Sequence, residues 1–248
     1  MNTRFILINP SHAGNVGAAA RAMKVMGFDD LVLVAPRWPD VLTREETLQR
    51  ASGAADVLGK ARIVATLDVA LEGVTYLCAT AMTPRDFGPP TVTPREHLAS
   101  LAPTAHHVGF LFGSERFGMM NDDVYRCHAA LTIPTDPQYG SLNLAAAIQV
   151  IAYEWRMALG GFGGTHQAPP DAGDHGRPRY ADAKSVAGML AHWERALVDI
   201  GFLDPETPRK LMPRLNQLFN RAQLTPEEIH ILRGVAKAMS EAAPGVKR

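Results

Sequence analysis

An α/β fold, with a parallel sheet covered by helices on both faces, is predicted by three features of the chain. Short apolar runs rich in β-forming residues recur through the first 133 positions, and helical stretches separate them. The runs are continuous rather than alternating, as strands buried on both faces require. Clusters of glycine and polar residues follow several runs, where open α/β sheets place their ligand sites.

The predicted strands are Phe5–Ile8, Leu31–Val34, Arg62–Ala65, Val74–Ala79, Val108–Phe112 and Ala129–Ile133. After the first comes a small-residue helix, Ala18–Met26, stopped by Gly27. Pro84–Pro94 reads as a loop long enough for a functional role. The strongest helix is Leu142–Leu159, with Leu144, Ile148, Ile151 and Trp155 on one face and Ser141 as a favourable cap. Glycines and prolines crowd positions 160–178, the composition of a flexible linker. The organisation is therefore a catalytic domain over 1–160, a linker over 161–178 and a helical tail over 179–248. Three helical patterns fill the tail: Ala181–Ile200, Pro208–Ala222 and Thr225–Ala242. The last opens Thr225-Pro226-Glu227-Glu228, a cap, a proline at the first position and a capping-box acid.

At 248 residues with 46% hydrophobic content, the chain can bury one sizeable core and a small appendage. Net charge is zero, but residues 177–248 hold 12 Lys and Arg against 8 Asp and Glu, while residues 1–170 hold 13 against 15. A mildly basic tail fits contact with phosphates. Cys78 and Cys127 are the only cysteines, which gives no disulfide framework and points to a reducing cytoplasm. No apolar run has the length of a signal-peptide core or a membrane span. His12, His97, His106, His107 and His128 lack metal-ligand spacing, so no metal is expected.

Three clusters carry the chemistry. The first runs from Asn9 to Gly17 and leads into a helix with Arg21; the second is Phe112-Gly113-Ser114-Glu115-Arg116-Phe117-Gly118; the third runs from Ile133 through Tyr139-Gly140-Ser141-Leu142-Asn143. Gly14-x-x-Gly17 invites a dinucleotide-binding reading, with Arg37 available to a 2'-phosphate, but the three-glycine fingerprint is incomplete and no acid ends the second strand. A tight bend would also explain both glycines.

Taken together, the clusters resemble in order and spacing the three motifs of the TrmH-like branch of SPOUT methyltransferases: an N-x-G-N-x-G-A-x-x-R element, a central F-G-x-E-x-x-G, and an S-L-N opening the last helix. The TrmJ-like group of tRNA ribose 2'-O-methyltransferases, which also has a helical C-terminal extension, is the most similar. The resemblance implies a deep trefoil knot holding S-adenosylmethionine, and a homodimer acting on tRNA. It assigns cofactor contact to Thr80, Ala81, Met82, Gly113, Ile133, Gly140, Ser141 and Leu142. It puts Asn15, Arg21, Glu115, Ser141 and Asn143 in the polar active-site set. Ser114 and Met119 depart from the pattern, standing where relatives often carry arginine and leucine.

A guanidinium stays protonated, so Arg21 is expected to bind a phosphate beside the target ribose in fork geometry rather than to act as a base. The expected reaction is methyl transfer to the 2'-hydroxyl of a pyrimidine, by resemblance nucleotide 32 of the anticodon loop. Ribosomal RNA methylation by the same site, and a knotted RNA binder without activity, are the alternatives. Asn15, Arg21, Glu115, Ser141 and Asn143 occurring together speak against a mere binder, which needs only basic surface.

Overall fold

The structure is a computed structural model that describes residues 3–81, 84–162, 179–207 and 209–243. Seven strands form one sheet: β1 (Thr3–Ile8), β2 (Asp30–Val34), β3 (Arg62–Val64), β4 (Tyr76–Thr80), β5 (Thr91–Val92), β6 (Val108–Phe112) and β7 (Ala129–Leu131). Their order is β3-β2-β1-β6-β4-β7-β5, and every neighbouring pair is parallel. All strand carboxyl ends therefore open on one edge, which collects the three motif clusters.

Alternate residues of each strand serve opposite faces. Phe5, Leu7, Leu31, Leu33, Phe110 and Phe112 pack into one core, and Ile6, Ile8, Val32, Val34, Leu77 and Leu111 into the other. The first core is covered by α1 (Ala13–Val25), α2 (Glu45–Ala51), α3 (Ala55–Lys60), α5 (Pro94–Leu101) and α7 (Leu144–Ala158). The second is covered by α4 (Leu67–Ala70) and α6 (Asn121–Tyr125). Ile148, Ile151 and Trp155 of α7 are buried as its periodicity predicts, and the Trp155 indole donates to Thr3 Oγ1 at 2.9 Å inside the first core.

Several boundaries differ from the sequence reading. α1 starts at Ala13, five residues early, so Gly14 and Gly17 lie inside a helix and not in a bend. A Cβ on Gly17 would sit 2.0 Å from the Thr47 carbonyl oxygen of α2. Close helix contact, not dinucleotide binding or turn geometry, is what requires glycine there. The stretch 84–94 contains β5, which pairs with β7 at the sheet edge. α7 starts at Leu144 with Asn143 as its cap, so Ser141 is not the cap. Asn143 accepts from the Ala145 N–H at 2.9 Å, the contact predicted for a serine two residues earlier.

The tail folds as α8 (Ala183–Asp199), α9 (Leu211–Ala222) and α10 (Pro226–Glu241), with the capping box at Thr225 and Glu228 formed as its sequence predicts. α9 begins three residues later than read. Val186, Met189, Leu190, Phe219, Leu224 and Ile229 make a separate small core. The tail also docks on the sheet domain: Ala183 N donates to Val74 O at 2.8 Å, Gly73 N to Asp182 Oδ2 at 3.1 Å, and the Asn220 amide to the Cys127 carbonyl at 3.2 Å. The predicted linker lies outside the described residues from 163 to 178. None of the helices among the described residues is long and apolar enough to cross a membrane.

Candidate active site

Glu115 joins the first and second clusters. Its Oε2 accepts from the Ser11 N–H at 2.8 Å and the Ser11 hydroxyl at 2.7 Å, and its Oε1 accepts from the Asn15 amide at 2.9 Å. The third cluster enters through Asn143, whose amide donates to Asn15 Oδ1 at 3.2 Å. Asn15 is thereby held on both sides, and its orientation is fixed. Burial works against ionisation of Glu115, yet the Ser11 N–H, the Asn15 amide and the Ser11 hydroxyl together hold its carboxyl below the usual carboxylate range. Glu115 is thus an ionised acceptor with three donors already on it, a group that orients rather than one that waits for a proton.

Gly113 and Gly118 shape the turn that carries Glu115. Ser114 and Gly118 exchange backbone hydrogen bonds at 3.0 and 2.9 Å, and a Cβ on Gly113 would lie 2.2 Å from the Gly118 carbonyl carbon. Gly113 therefore has a structural reason to be glycine apart from any cofactor. Arg21 is exposed on the side of α1 where Asn15 and Ala18 are half-buried, six residues and about 9 Å along the axis from Asn15. It has no carboxylate partner among the described residues.

Beside Asn143, the third cluster forms one wall of a cleft. Thr80, Ala81, Leu131, Ile133, Thr135, Gly140, Leu142 and Ala147 line it, enclosing about 100 Å³. Five of the residues read from sequence as cofactor contacts, Thr80, Ala81, Ile133, Gly140 and Leu142, are brought together here. Ser141 sits exposed between two of them, Gly113 lies in the neighbouring turn, and Met82 is outside the described residues. The lining is apolar with two hydroxyls and no charged side chain, which suits the adenine ring of the cofactor but offers no partner to the charged groups of its methionine part. Thr80 Oγ1 is spent on the Leu111 carbonyl at 2.8 Å, so it steadies the wall between β4 and β6.

Sequence reasoning did not assign Ser11, although it lies within the first cluster; a hydroxyl two residues before the start of α1 was the available signal. Cys78 and Cys127 are buried and unpaired, and burial pushes both thiols up, away from reactivity. Among the described residues no group of three or more His, Cys, Asp and Glu side chains can hold a metal ion.

Residues 2–153 match the SpoU rRNA Methylase family, a span containing every strand among the described residues and all three clusters. The chain belongs to this family. Residues 184–248 match the C-terminal domain of the tRNA methyltransferase TrmJ, which assigns the tail to the same group of methyltransferases. The chain is 40% identical to the tRNA (cytidine/uridine/adenosine-2'-O-)-methyltransferase TrmJ of Pseudomonas aeruginosa, over 98% of its own length and 95% of that protein. It is 39% identical to the tRNA (cytidine/uridine-2'-O-)-methyltransferase TrmJ of Salmonella typhimurium over 98% of both chains. Among solved structures, TrmJ from Z. mobilis superposes with a TM-score of 0.80 at 32% identity, covering 96% of this chain and 99% of that one. A probable methyltransferase from Bordetella pertussis matches at 47% identity and a TM-score of 0.59 over 64% of this chain and 96% of that one. This SpoU-family chain is a methyltransferase enzyme of the TrmJ type.

Proposed function

We propose that the protein transfers the methyl group of S-adenosylmethionine to the ribose 2'-oxygen of a pyrimidine in tRNA, at nucleotide 32 of the anticodon loop. The observation that carries this reading is the hydrogen-bonded series Ser11–Glu115–Asn15–Asn143, which abuts the apolar cleft through the single segment Gly140–Leu144. The same segment thus supports both the cofactor wall and the polar site. Near-complete coverage of the tRNA enzymes above favours tRNA over ribosomal RNA; cytidine and uridine are named for both relatives and adenosine for the Pseudomonas aeruginosa enzyme alone, which favours a pyrimidine.

S-adenosylmethionine, when bound, supplies an electrophilic methyl on a sulfonium. The chain's own task is to align the ribose hydroxyl with it and to keep water out. Asn15, clamped between Glu115 and Asn143, is the group best placed to orient that hydroxyl. Arg21 takes the neighbouring phosphate with its planar fork and favours the oxygen's developing negative charge. The trefoil knot known in such folds is part of this reading, with the segment after β7 forming the wall of the cleft.

In the tail, Lys210, the residue that caps α9, and Arg214, Gln217 and Arg221 within it follow one another at helical spacing. Lys210 Nζ lies 4.1 Å and the Arg214 guanidinium 5.1 Å from the centre of the Phe87 ring, and Gln217 donates to the Gly88 carbonyl at 3.2 Å. Two cations share one aromatic ring, and neither has a carboxylate partner among the described residues. This arrangement suits RNA phosphates. A homodimer completing the site across a two-fold axis fits the exposed Val25, Tyr153 and Met157 of α1 and α7. Ala152 of α7 is buried in the protomer's own core and takes no part in that surface. A tRNA substrate and two free buried thiols fit a cytoplasmic location.

Incubation with labelled S-adenosylmethionine and total tRNA, followed by mapping of 2'-O-methyl positions, tests the reading. A single modified pyrimidine in the anticodon loop is the expected result. Label confined to ribosomal RNA, or no label with either RNA, overturns it.

A further inference from the structure

We propose that Phe117 and Arg116 form a nucleotide-seating pair at the mouth of the site, the ring stacking on an RNA base beside the target and the guanidinium taking a flanking phosphate. This rests on the RNA methyl-transfer reading above. Phe117 is 82% exposed although it belongs to the same five-residue turn as Glu115. That turn is fixed from within: Ser114 and Gly118 are doubly hydrogen-bonded, and Phe117 N donates to Ser114 Oγ at 3.1 Å. Gly113 has no room for a Cβ, and Gly118 adopts φ +67°. Glu115 points inward to Ser11 and Asn15, while Arg116 and Phe117 occupy the tip.

A phenyl ring has no polar group to reward exposure, and this one joins neither sheet core. Its place is nevertheless held rigidly, two residues from the carboxylate that orients Asn15. The Arg116 guanidinium lies 5.6 Å from the ring centre and has no carboxylate partner among the described residues. One ring beside one free cation matches the two parts of a nucleotide, a π face and a phosphate. Contact between protein copies needs a broader apolar patch than one ring, and the exposed Val25, Tyr153 and Met157 lie on other elements, α1 and α7. The hydroxyl of Ser114 is what ties the Phe117 backbone, so the serine that departs from the family pattern contributes to presenting the ring.

The test compares Phe117→Ala, Phe117→Leu and Phe117→Trp in the full-length enzyme. Stacking predicts a rise of about tenfold or more in KM for tRNA with alanine and with leucine, and a value near the parent's with tryptophan. Cofactor affinity and mass by light scattering stay unchanged in all three. Fluorescence of Phe117→Trp is quenched by saturating tRNA beyond the response of the parent's 3 tryptophans. A leucine variant equal to the parent, or an alanine variant with unchanged KM, overturns stacking. A change of mass in the alanine variant also overturns it and assigns the ring to contact between copies. Failure of the parent to methylate any RNA sinks the underlying reading, whereas an active parent with indifferent variants sinks only the proposal.

Discussion

Glu115 is where chemistry and stability are most directly coupled. Its folded-state carboxyl lies below the ordinary value of about 4.3, so its contribution is full above that value and is lost as pH falls through the lower, folded one. Glu115→Gln is expected to be less stable than the parent at pH 7, with the gap closing as pH drops below about 4; urea unfolding of both across that range measures it. The substitution also turns one acceptor into a donor, which then faces Asn15 or Ser11 and disrupts the clamp. Activity should fall roughly tenfold or more, in keeping with the loss of charge-assisted bonds. At Arg21 the expectation differs. Alanine and lysine should both remove most activity while cofactor affinity stays within a few-fold, because lysine keeps the charge and loses the fork. A fully active Arg21→Lys enzyme, in steady-state assays with tRNA, refutes bidentate phosphate binding. Much of this site was legible through the family motifs, which singled out Asn15, Glu115 and Asn143, the side chains that the structure joins. The cap of α7 was not, because Ser141 and Asn143 are equally good caps and only the onset of helical geometry chooses between them.

At the level of elements, α1 illustrates what propensity misses. Glycines at 14 and 17 are poor helix formers, so the pattern alone starts the helix after them; packing against α2 overrides that preference. Gly17→Ala should therefore destabilise by roughly 1 to 3 kcal/mol despite alanine's better propensity, because its Cβ meets backbone that cannot move alone. Chemical denaturation checks the sign, and an unchanged or raised midpoint contradicts the packing account. β5 was unreadable for another reason: two residues between prolines carry no periodicity, and pairing with β7 is what makes them a strand. α9 joins the same segment to the tail. Replacing Lys210 and Arg214 together by alanine should weaken tRNA binding and flatten its dependence on the logarithm of salt concentration by about 1.4, at roughly 0.7 for each phosphate no longer neutralised. Binding titrations at several salt concentrations measure that slope, and an unaltered slope removes α9 from the RNA surface.

The whole molecule is a sheet domain and a helical tail joined by more than a linker, and the joining was invisible in composition. Patterns of glycine and proline mark where a chain can bend, but they carry no record of which faces meet afterwards. Here the Tyr180 ring stacks on His106 at 4.2 Å, and the Asn220 amide reaches the carbonyl of Cys127. His106 is 1% exposed, and burial holds its imidazole below the ordinary value; burial pushes the neighbouring His128 down to about 3. Both imidazoles are therefore neutral in the folded chain and charge more readily when it unfolds. Their depressed values make the protein lose stability as pH falls from about 6.5 toward the folded values, since the unfolded chain binds more protons over that range. A chain ending near Gly164 retains every strand, the Glu115–Asn15–Asn143 series and the described cleft, so it should fold and bind cofactor. It should melt at lower temperature, because His106 loses the cover of Tyr180 and the Val74 carbonyl loses its Ala183 donor. The same loss of cover should let the imidazoles titrate nearer their ordinary value, so stability of the shortened chain should fall less steeply between pH 6.5 and 4. Its affinity for tRNA should drop and become less sensitive to salt, since residues 177–248 hold the excess of Lys and Arg. Thermal melts of both chains at several pH values and tRNA titrations at two ionic strengths separate these links. Identical pH profiles refute the histidine coupling, and identical salt dependence refutes the tail as the RNA grip.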